Sequence, residues 1–385
     1  MSWEKVRLGD IAEFSNGINF GKDDYGKGIK IIGVSNFGDK FSPEYDSLTE
    51  VKEEVVKSND YLYPGDIVFV RSNGNKELVG RCMLIDNKAD KVTYSGFCIR
   101  ARLKDTTKHN PTFWTYHFKN QSFRKAMAGT AVGANIQNLS QGRLADYDAT
   151  VPDYDSQVRI AQWLSLYDNL IENNKKQIKL LEEATECLYR EWFVDFHFPG
   201  YENVKIVDGV PEGWKNRTVG EVIEKPVRSK QIMTCNYQKN GLIPIIDQSR
   251  DFIAGYTNDT EALVKKDVPI IVFGDHTRVL KYIQFPFAKG ADGTQLIISN
   301  CDEMPQSLLY CSLVSIDLSN YHYARHFKYL KAEKVLIPTM EIANMFDKFC
   351  SKIFEEIQCK RNQIVKLTEA RDRLLPKLMN GEIEI

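Results

Sequence analysis

The residues with catalytic potential fall into near-complete motifs, and each lacks a part that its chemistry requires. Gly17-Ile18-Asn19-Phe20-Gly21-Lys22-Asp23 resembles a phosphate-cradling loop but is one residue short. Asp23 stands where a Mg²⁺-binding hydroxyl belongs, which sets negative charge beside a phosphate. Asn110-Pro111-Thr112-Phe113 approaches the Asn-Pro-Pro-aromatic run of adenine methyltransferases, without the second Pro and without a Gly-rich strand-end loop for S-adenosylmethionine. His322 and His326, at i and i+4, would share a helix face, yet Tyr323 takes the place of a metalloprotease Glu and no third ligand is evident. A nuclease needs Pro-Asp followed by Glu-x-Lys, whereas Glu50-Val51-Lys52 lies far upstream of Pro152-Asp153. No nucleophile elbow is present either. The sequence carries no persuasive catalytic set.

Polar groups at short spacing carry a different chemistry. Arg71–Arg81 (RSNGNKELVGR) and Gly129–Arg143 (GTAVGANIQNLSQGR) are rich in Asn, Gln, Arg and Gly. Asn and Gln can bridge adenine N6 and N7, Arg can bridge guanine O6 and N7, and Gly lets a backbone approach phosphate. The candidate contacts are Arg71, Asn73, Asn75, Lys76 and Arg81, then Asn135, Gln137, Asn138, Gln141 and Arg143. A second set comprises His276, Thr277, Arg278 and Lys281, with Tyr323, Arg325, His326 and Lys328. There Arg325, Lys328, Lys331 and Lys334 recur every third residue, as a phosphate-facing ridge would. Charge is distributed to match. Met1–Val70 holds 8 Lys/Arg against 13 Asp/Glu, whereas Arg71–Arg143 holds 13 against 4. Such a run points to an anionic partner or to a solvated face.

These groups must be positioned by elements, and the elements come twice. Gln177, Ile178, Leu181, Glu183, Ala184 and Leu188 recur as Gln363, Ile364, Leu367, Glu369, Ala370 and Leu374, at a constant offset of 186. The same offset carries Val151-Pro152 onto Ile337-Pro338. Upstream, Trp3-x4-Leu8-Gly9-Asp10-Ile11 echoes Trp214-x4-Val219-Gly220-Glu221-Val222. Heptad stripes run from Gln157 to Trp192 and from Ala343 to Leu378. Each predicts a helix of roughly 50–55 Å at ~1.5 Å per residue. Pro376 should kink or separate the last turn of the second. The central stripe members, Asn174 and Lys360, are polar. An antiparallel pair would set them face to face as the register layer, with Trp192 opposite Ala343.

The intervening stretches hold β-rich runs at Ile29–Val34, Asp66–Val70, Gly80–Ile85, Leu242–Ile246, Asp267–Phe273, Lys281–Phe287 and Gln295–Ser299, with a helix expected over Thr112–Met127. The expected fold class is α+β: two globular α/β domains separated by two long helices forming an antiparallel coiled coil, with an internal pseudo-twofold repeat. The expected divisions are 1–151 and 214–337 for the domains, 152–197 and 338–385 for the helices and C-terminal tail, and 198–213 for a linker. At 385 residues, 43% hydrophobic and 27% charged, the composition is that of a globular chain. No run reaches eighteen consecutive apolar residues and Met1–Asp10 is not a signal peptide, so the expectation is a cytoplasmic protein with no membrane partner. Eight scattered cysteines without a CxxC pair agree with a reducing compartment.

Taken in order along the whole chain, these pieces resemble the DNA-specificity subunit of type I restriction-modification systems. The resemblance rests on Trp3-x4-Leu8-Gly9-Asp10, on Val151-Pro152-x4-Gln157-x2-Ile160-Ala161 and on Gln177-x3-Leu181-x6-Leu188. It continues in Gly274-Asp275-His276-Thr277-Arg278, in Phe285-Pro286-Phe287-Ala288 with Gly290-Ala291-Asp292-Gly293-Thr294, and in Leu374 to Ile383. It implies two target-recognition domains, each reading one half of a split, asymmetric site in double-stranded DNA. It further implies two modification (methyltransferase) subunits carrying S-adenosylmethionine, and restriction/motor subunits that cleave. The chain itself would hold no cofactor, metal or catalytic residue. Lys360 and Arg371 make the second stripe less apolar than the first, so packing along it must be asymmetric. The competing expectations are a two-domain protein-interaction scaffold and an intrinsic methyltransferase or nuclease.

Overall fold

The computed structural model describes residues 2–38, 40–75, 77–86, 91–128, 137–225, 229–321 and 325–385. Contacts divide the chain into two compact units: Met1–Glu172 with Ile364–Ile385, and Asn173–Gln363.

In the first unit, a four-stranded antiparallel sheet takes the order Ala12–Asn16, Cys98–Leu103, Ile67–Val70, Cys82–Leu84. Ile67 to Val70 are buried on both faces, as expected of a central strand. Its apolar side packs on Phe113, Trp114, Phe118, Phe123 and Ile160. Tyr25–Ile32 forms a smaller sheet, antiparallel to Thr49–Val51 and parallel to Val92–Tyr94. The helix expected over Thr112–Met127 is two helices, Pro111–Lys119 and Gln121–Ala128, broken at Asn120, which is extended at ψ 140°. The Asn110 side chain caps the first by accepting from Phe113 N at 2.9 Å, and Pro111 opens it. The methyltransferase-like run is therefore a helix start.

The second unit follows the same plan. Leu280–Ile283, Ile270–Gly274 and Thr294–Ile297 form an antiparallel sheet, and Ile243–Ile246 runs parallel to Phe287–Lys289 in a neighbouring one. The helix Gln306–Val314 covers the first of these sheets.

In each unit an antiparallel ladder joins the opening strand to the strand that leads into a long helix. Trp3–Arg7 pairs with Asp148–Pro152, and Lys215–Thr218 with Lys334–Ile337. Equivalent backbone bonds follow, Leu8 N to Tyr147 O at 2.9 Å and Val219 N to Glu333 O at 2.8 Å. A Cβ on Gly9 would stand 3.1 Å from the Ala145 carbonyl oxygen, and one on Gly220 3.2 Å from that of Lys331. This shared close approach is why glycine recurs after Leu8 and after Val219.

The long helices run Tyr154–Phe193 and Met340–Met379, 40 residues each. Pro376 lies inside the second without ending it, so the last turn is not separate. Gly381 (φ 72°) closes that helix, with Glu382 N bonded to Lys377 O at 2.9 Å. Within the first unit the two helices are antiparallel: Asp168 meets Arg371, and Arg159 Nε donates to the Ile385 carbonyl at 3.0 Å. Within the second unit Glu182 meets Arg361 at 2.9 Å, and Trp192 meets Phe346 with ring centroids 5.7 Å apart.

One bond of the expected register is not formed. Trp192 packs on Phe346 and Phe349, and shares a buried apolar cluster with its expected partner Ala343. Asn174 is buried, but Lys360 Nζ pairs at 2.9 Å with Glu356 on its own helix. Among the described residues no hydrogen bond joins Asn174 to Lys360. Large aromatics and ion pairs off the stripe centres join the two helices.

Candidate nucleic-acid interface

In the first unit the candidate groups cluster where the central strand ends. Arg71–Arg81 leaves Val70, and Gln137–Asn138 pairs antiparallel with Ser72–Asn73. Leu139 N donates to Arg71 O at 2.9 Å, so two expected segments, distant in sequence, form one surface. Asn75 and Asn138 are exposed on it. Asn73 is half-buried and uses Oδ1 to accept from Asn75 N at 2.7 Å, while Asn75 Oδ1 accepts from Glu77 N. Arg71 Nη1 donates to the Gly96 carbonyl at 3.3 Å. Arg81 and Arg143 are half-buried, with Arg143 Nη2 on the Ala126 carbonyl at 3.0 Å. The Gln141 amide, oriented to satisfy both neighbours, lies 3.0 Å from Phe14 O and 3.2 Å from Asn16 N. Lys76, Asn135 and Tyr323 lie outside the described residues, and of Gln137 only the backbone is described.

The basic excess of 71–143 is largely committed internally. Arg102 holds Asp66 through two 2.7 Å bonds, and Arg100 Nη1 donates to Asn59 O. Lys104, Lys119 and Arg124 donate to the carbonyls of Gly9, Lys40 and Glu77. The charge count thus overstates the free positive surface.

In the second unit Gly274 ends the central strand and Asp275–Val279 forms a tight turn. His276, Thr277 and Arg278 are exposed in it, as are Arg325 and Lys328 on and beside the helix His326–Ala332. That helix is tied to the turn by Phe327 N donating to Asp275 Oδ1 at 2.7 Å. Two expected contacts are corrected by burial. Lys281 is 4% exposed and donates through Nζ to the Asp251 carbonyl at 2.5 Å. Burial pushes its ammonium down to about 8, partly opposed by Asp247. His326 is 6% exposed, with its ring nitrogens 2.9 Å from the carbonyls of Asp275 and Tyr321. Both side chains hold the turn from beneath and do not face solvent.

Sequence reasoning missed Gln248, half-buried at the base of this turn, whose Oε1 accepts from His276 N at 3.1 Å. Nothing local marks it: a lone Gln after a strand carries no motif. The phosphate-like loop also resolves into ordinary structure. Gly21 N donates to Asp24 Oδ2 at 2.7 Å, so the loop's own carboxylate occupies the donor that a phosphate would need. Among the described residues no group of three His, Cys, Asp or Glu side chains is arranged to hold a metal ion. No helix among them is long and apolar enough to cross a membrane.

Comparison with known proteins agrees with this geometry. Residues 1–183 match the family model for the type I restriction modification DNA specificity domain. The chain is 26% identical over 297 residues to the type I restriction enzyme MjaIX specificity subunit of Methanocaldococcus jannaschii, covering 70% of this chain and 68% of that one. It is 21% identical over 472 residues to the HindI specificity subunit of Haemophilus influenzae, covering 99% of each. Its fold is similar to the crystal structure of the type I restriction-modification S subunit from M. genitalium, with a TM-score of 0.60 at 17% identity over 98% of this chain and 96% of that one. By that domain match, residues 1–183 resemble the type I restriction modification DNA specificity domain, and the chain as a whole is similar in sequence to type I specificity subunits and in fold to one of them.

Proposed function

We propose that the chain reads a split, asymmetric target in double-stranded DNA, one half with residues 1–151 and the other with residues 214–337. In this reading 152–197 and 338–385 zip as an antiparallel coiled coil that sets the spacing, and 198–213 is a linker. Two modification subunits bring S-adenosylmethionine, restriction/motor subunits bring cleavage, and the assembly works in the cytoplasm. The observation that carries the reading is one structural plan used twice, with different chemistry at the strand ends. The equivalent ladders are Trp3–Arg7 with Asp148–Pro152 and Lys215–Thr218 with Lys334–Ile337. An Asn-rich loop follows the central strand in one unit, and a short His-Thr-Arg turn follows it in the other. Shared supports with divergent tips suit the reading of two different half-sites.

Methylation mapping of genomic DNA from a host carrying the whole system tests this, with a bipartite, asymmetric motif expected. Duplex binding by the full chain over a salt series is the companion measurement. Its log–log slope should be steep, about −0.9 for each phosphate neutralised. A salt-independent or absent DNA affinity would overturn the reading and favour a protein-only scaffold.

A further inference from the structure

Three loops of the second unit, separated in sequence, are laced together by polar groups that lie under the exposed tips. Gln248 is at the centre. Its Oε1 accepts from His276 N at 3.1 Å, and its Nε2 donates to the Asp292 carbonyl at 2.9 Å. Its own carbonyl accepts from Thr277 Oγ1 at 2.6 Å. One residue thus ties the loop Asp247–Asp251 to the turn at His276 and to the turn before Thr294. Tyr237 adds a second tie, donating to Asp247 Oδ2 at 3.2 Å and accepting from Ala291 N at 2.9 Å. Buried Lys281 holds the far end of the loop through the Asp251 carbonyl.

The fit leaves no slack. A Cβ on Gly290 would stand 2.3 Å from Tyr237 Oη and 2.5 Å from Asp247 Cβ. One on Gly293 would stand 2.8 Å from Gln248 Nε2. Arg278 is held at φ 62°, a left-handed conformation that a non-glycine residue keeps only when its surroundings impose it. Arg278 Nη1 donates to the Leu318 carbonyl at 3.0 Å, which removes part of its freedom to contact a ligand.

Hydrogen bonds of this kind add little net stability each, so a lattice of them acts mainly on position. Position is what base readout needs. A bidentate contact to a base edge demands donors fixed within a fraction of an ångström, whereas phosphate tolerates a mobile Lys. The two long polar side chains exposed on the lattice without a hydrogen bond of their own among the described groups are Arg250 and His276. One is a fork matched to guanine O6 and N7, and the other is a ring with a donor and an acceptor.

We propose that these three loops form a single base-reading head for one half of the DNA target, in which Arg250 and His276 contact base edges and Gln248 is the positioning residue that fixes them. The inference rests on the proposed function, and its test separates the two. Full-length protein is titrated against the mapped target, against duplexes carrying each base-pair substitution in either half, and against a scrambled duplex. Arg250→Ala and His276→Ala should each lose discrimination by about tenfold or more at base pairs of one half only. Gln248→Leu should flatten the preference at the same base pairs, leaving the other half and the salt slope unchanged, since it touches neither phosphate nor DNA. The two exposed-residue variants keep the proposal refutable if Gln248→Leu does not melt cooperatively. Uniform weakening on every duplex, with discrimination intact, would overturn the reading head while leaving two-half recognition standing. Wild-type protein without preference in either half would overturn both.

Discussion

Removing Arg371 should expose how the first unit holds the end of one long helix against the start of the other. Arg371 Nη1 lies 2.5 Å from Asp168 Oδ1, with the two side chains only 19% and 15% exposed. Tyr116 Oη donates to the other oxygen, Asp168 Oδ2, at 2.5 Å, and Asp372 accepts from Arg371 Nη2 at 2.8 Å. With charge centres ~4 Å apart at an effective dielectric of ~20, the gross attraction is about 4 kcal/mol. Desolvation of both ions offsets much of it, so the intact pair contributes little net stability. Arg371→Leu is different, because it leaves a mostly buried carboxylate with one phenol donor, at a cost of about 3–5 kcal/mol. At a urea m-value of ~2 kcal/mol/M, the midpoint of the first unit's transition should fall by about 1.5–2.5 M. Asp168→Leu with Arg371→Leu should recover most of that loss, giving a coupling of at least ~2 kcal/mol in the double-mutant cycle. Urea unfolding followed by circular dichroism measures all four proteins. A single-variant loss under ~1 kcal/mol, or a double variant worse than Arg371→Leu, would refute the argument that an uncompensated carboxylate is the destabilising element.

Other outcomes follow from the same structure. Burial holds His117 neutral and pushes it down to about 4 from its usual 6.5. A group depressed in this way contributes fully above about 6.5 and loses that contribution as pH falls toward 4, because the unfolded chain takes the proton first. The loss should approach about 3 kcal/mol, and urea midpoints of His117→Phe between pH 7 and 4 should lack that component. Gly17→Ala places a Cβ 2.2 Å from the Tyr94 carbonyl oxygen and 2.4 Å from that of Ser95, so it should cost about 3 kcal/mol or more in thermal unfolding. Gly142→Ala, with nothing within 4 Å and a helical position, should be neutral or stabilising by up to ~1 kcal/mol. On DNA, Arg325→Ala with Lys328→Ala should weaken binding to specific and scrambled duplexes alike and flatten the salt slope by about 1.8, as loss of two phosphate contacts requires.

How much of this was legible in the sequence can be judged residue by residue. The repeat was readable because it records constraints that both units share: a Cβ on Gly9 or on Gly220 would crowd a carbonyl oxygen at 3.1 or 3.2 Å, so glycine fits each place without displacing a neighbour. The long helices were readable because a heptad stripe is a local pattern carried over many turns. The break at Asn120 was not, since a continuous apolar run fits one helix as well as two, and packing of Phe118 and Phe123 onto Phe69 decides between them. The missing bond between Asn174 and Lys360 was hidden for a related reason. A polar residue at a stripe centre suggests a bond across the seam, but the Lys360 ammonium is taken by Glu356 one turn away on its own helix.

The candidate interface shows the same division. Residue types named the chemistry, with Asn, Gln, Arg and His in Gly-bearing loops, and the structure keeps Asn75, Asn138, His276, Arg325 and Lys328 exposed. Burial is a property of the assembled chain, so Lys281 and His326 look like surface cations in sequence and are internal braces in the fold. The charge excess of 71–143 was a correct count of residues, but Arg102 and Lys104 answer to Asp66 and to the Gly9 carbonyl, partners that sequence distance hides. Composition, period and repeat therefore determined what kinds of element this protein has and that it has them twice, because those signals are local and survive as patterns of residue type. Which polar groups face outward, where the helices align and how Gln248 joins three loops was decided only by tertiary structure, because each depends on distances between residues that the chain order does not contain.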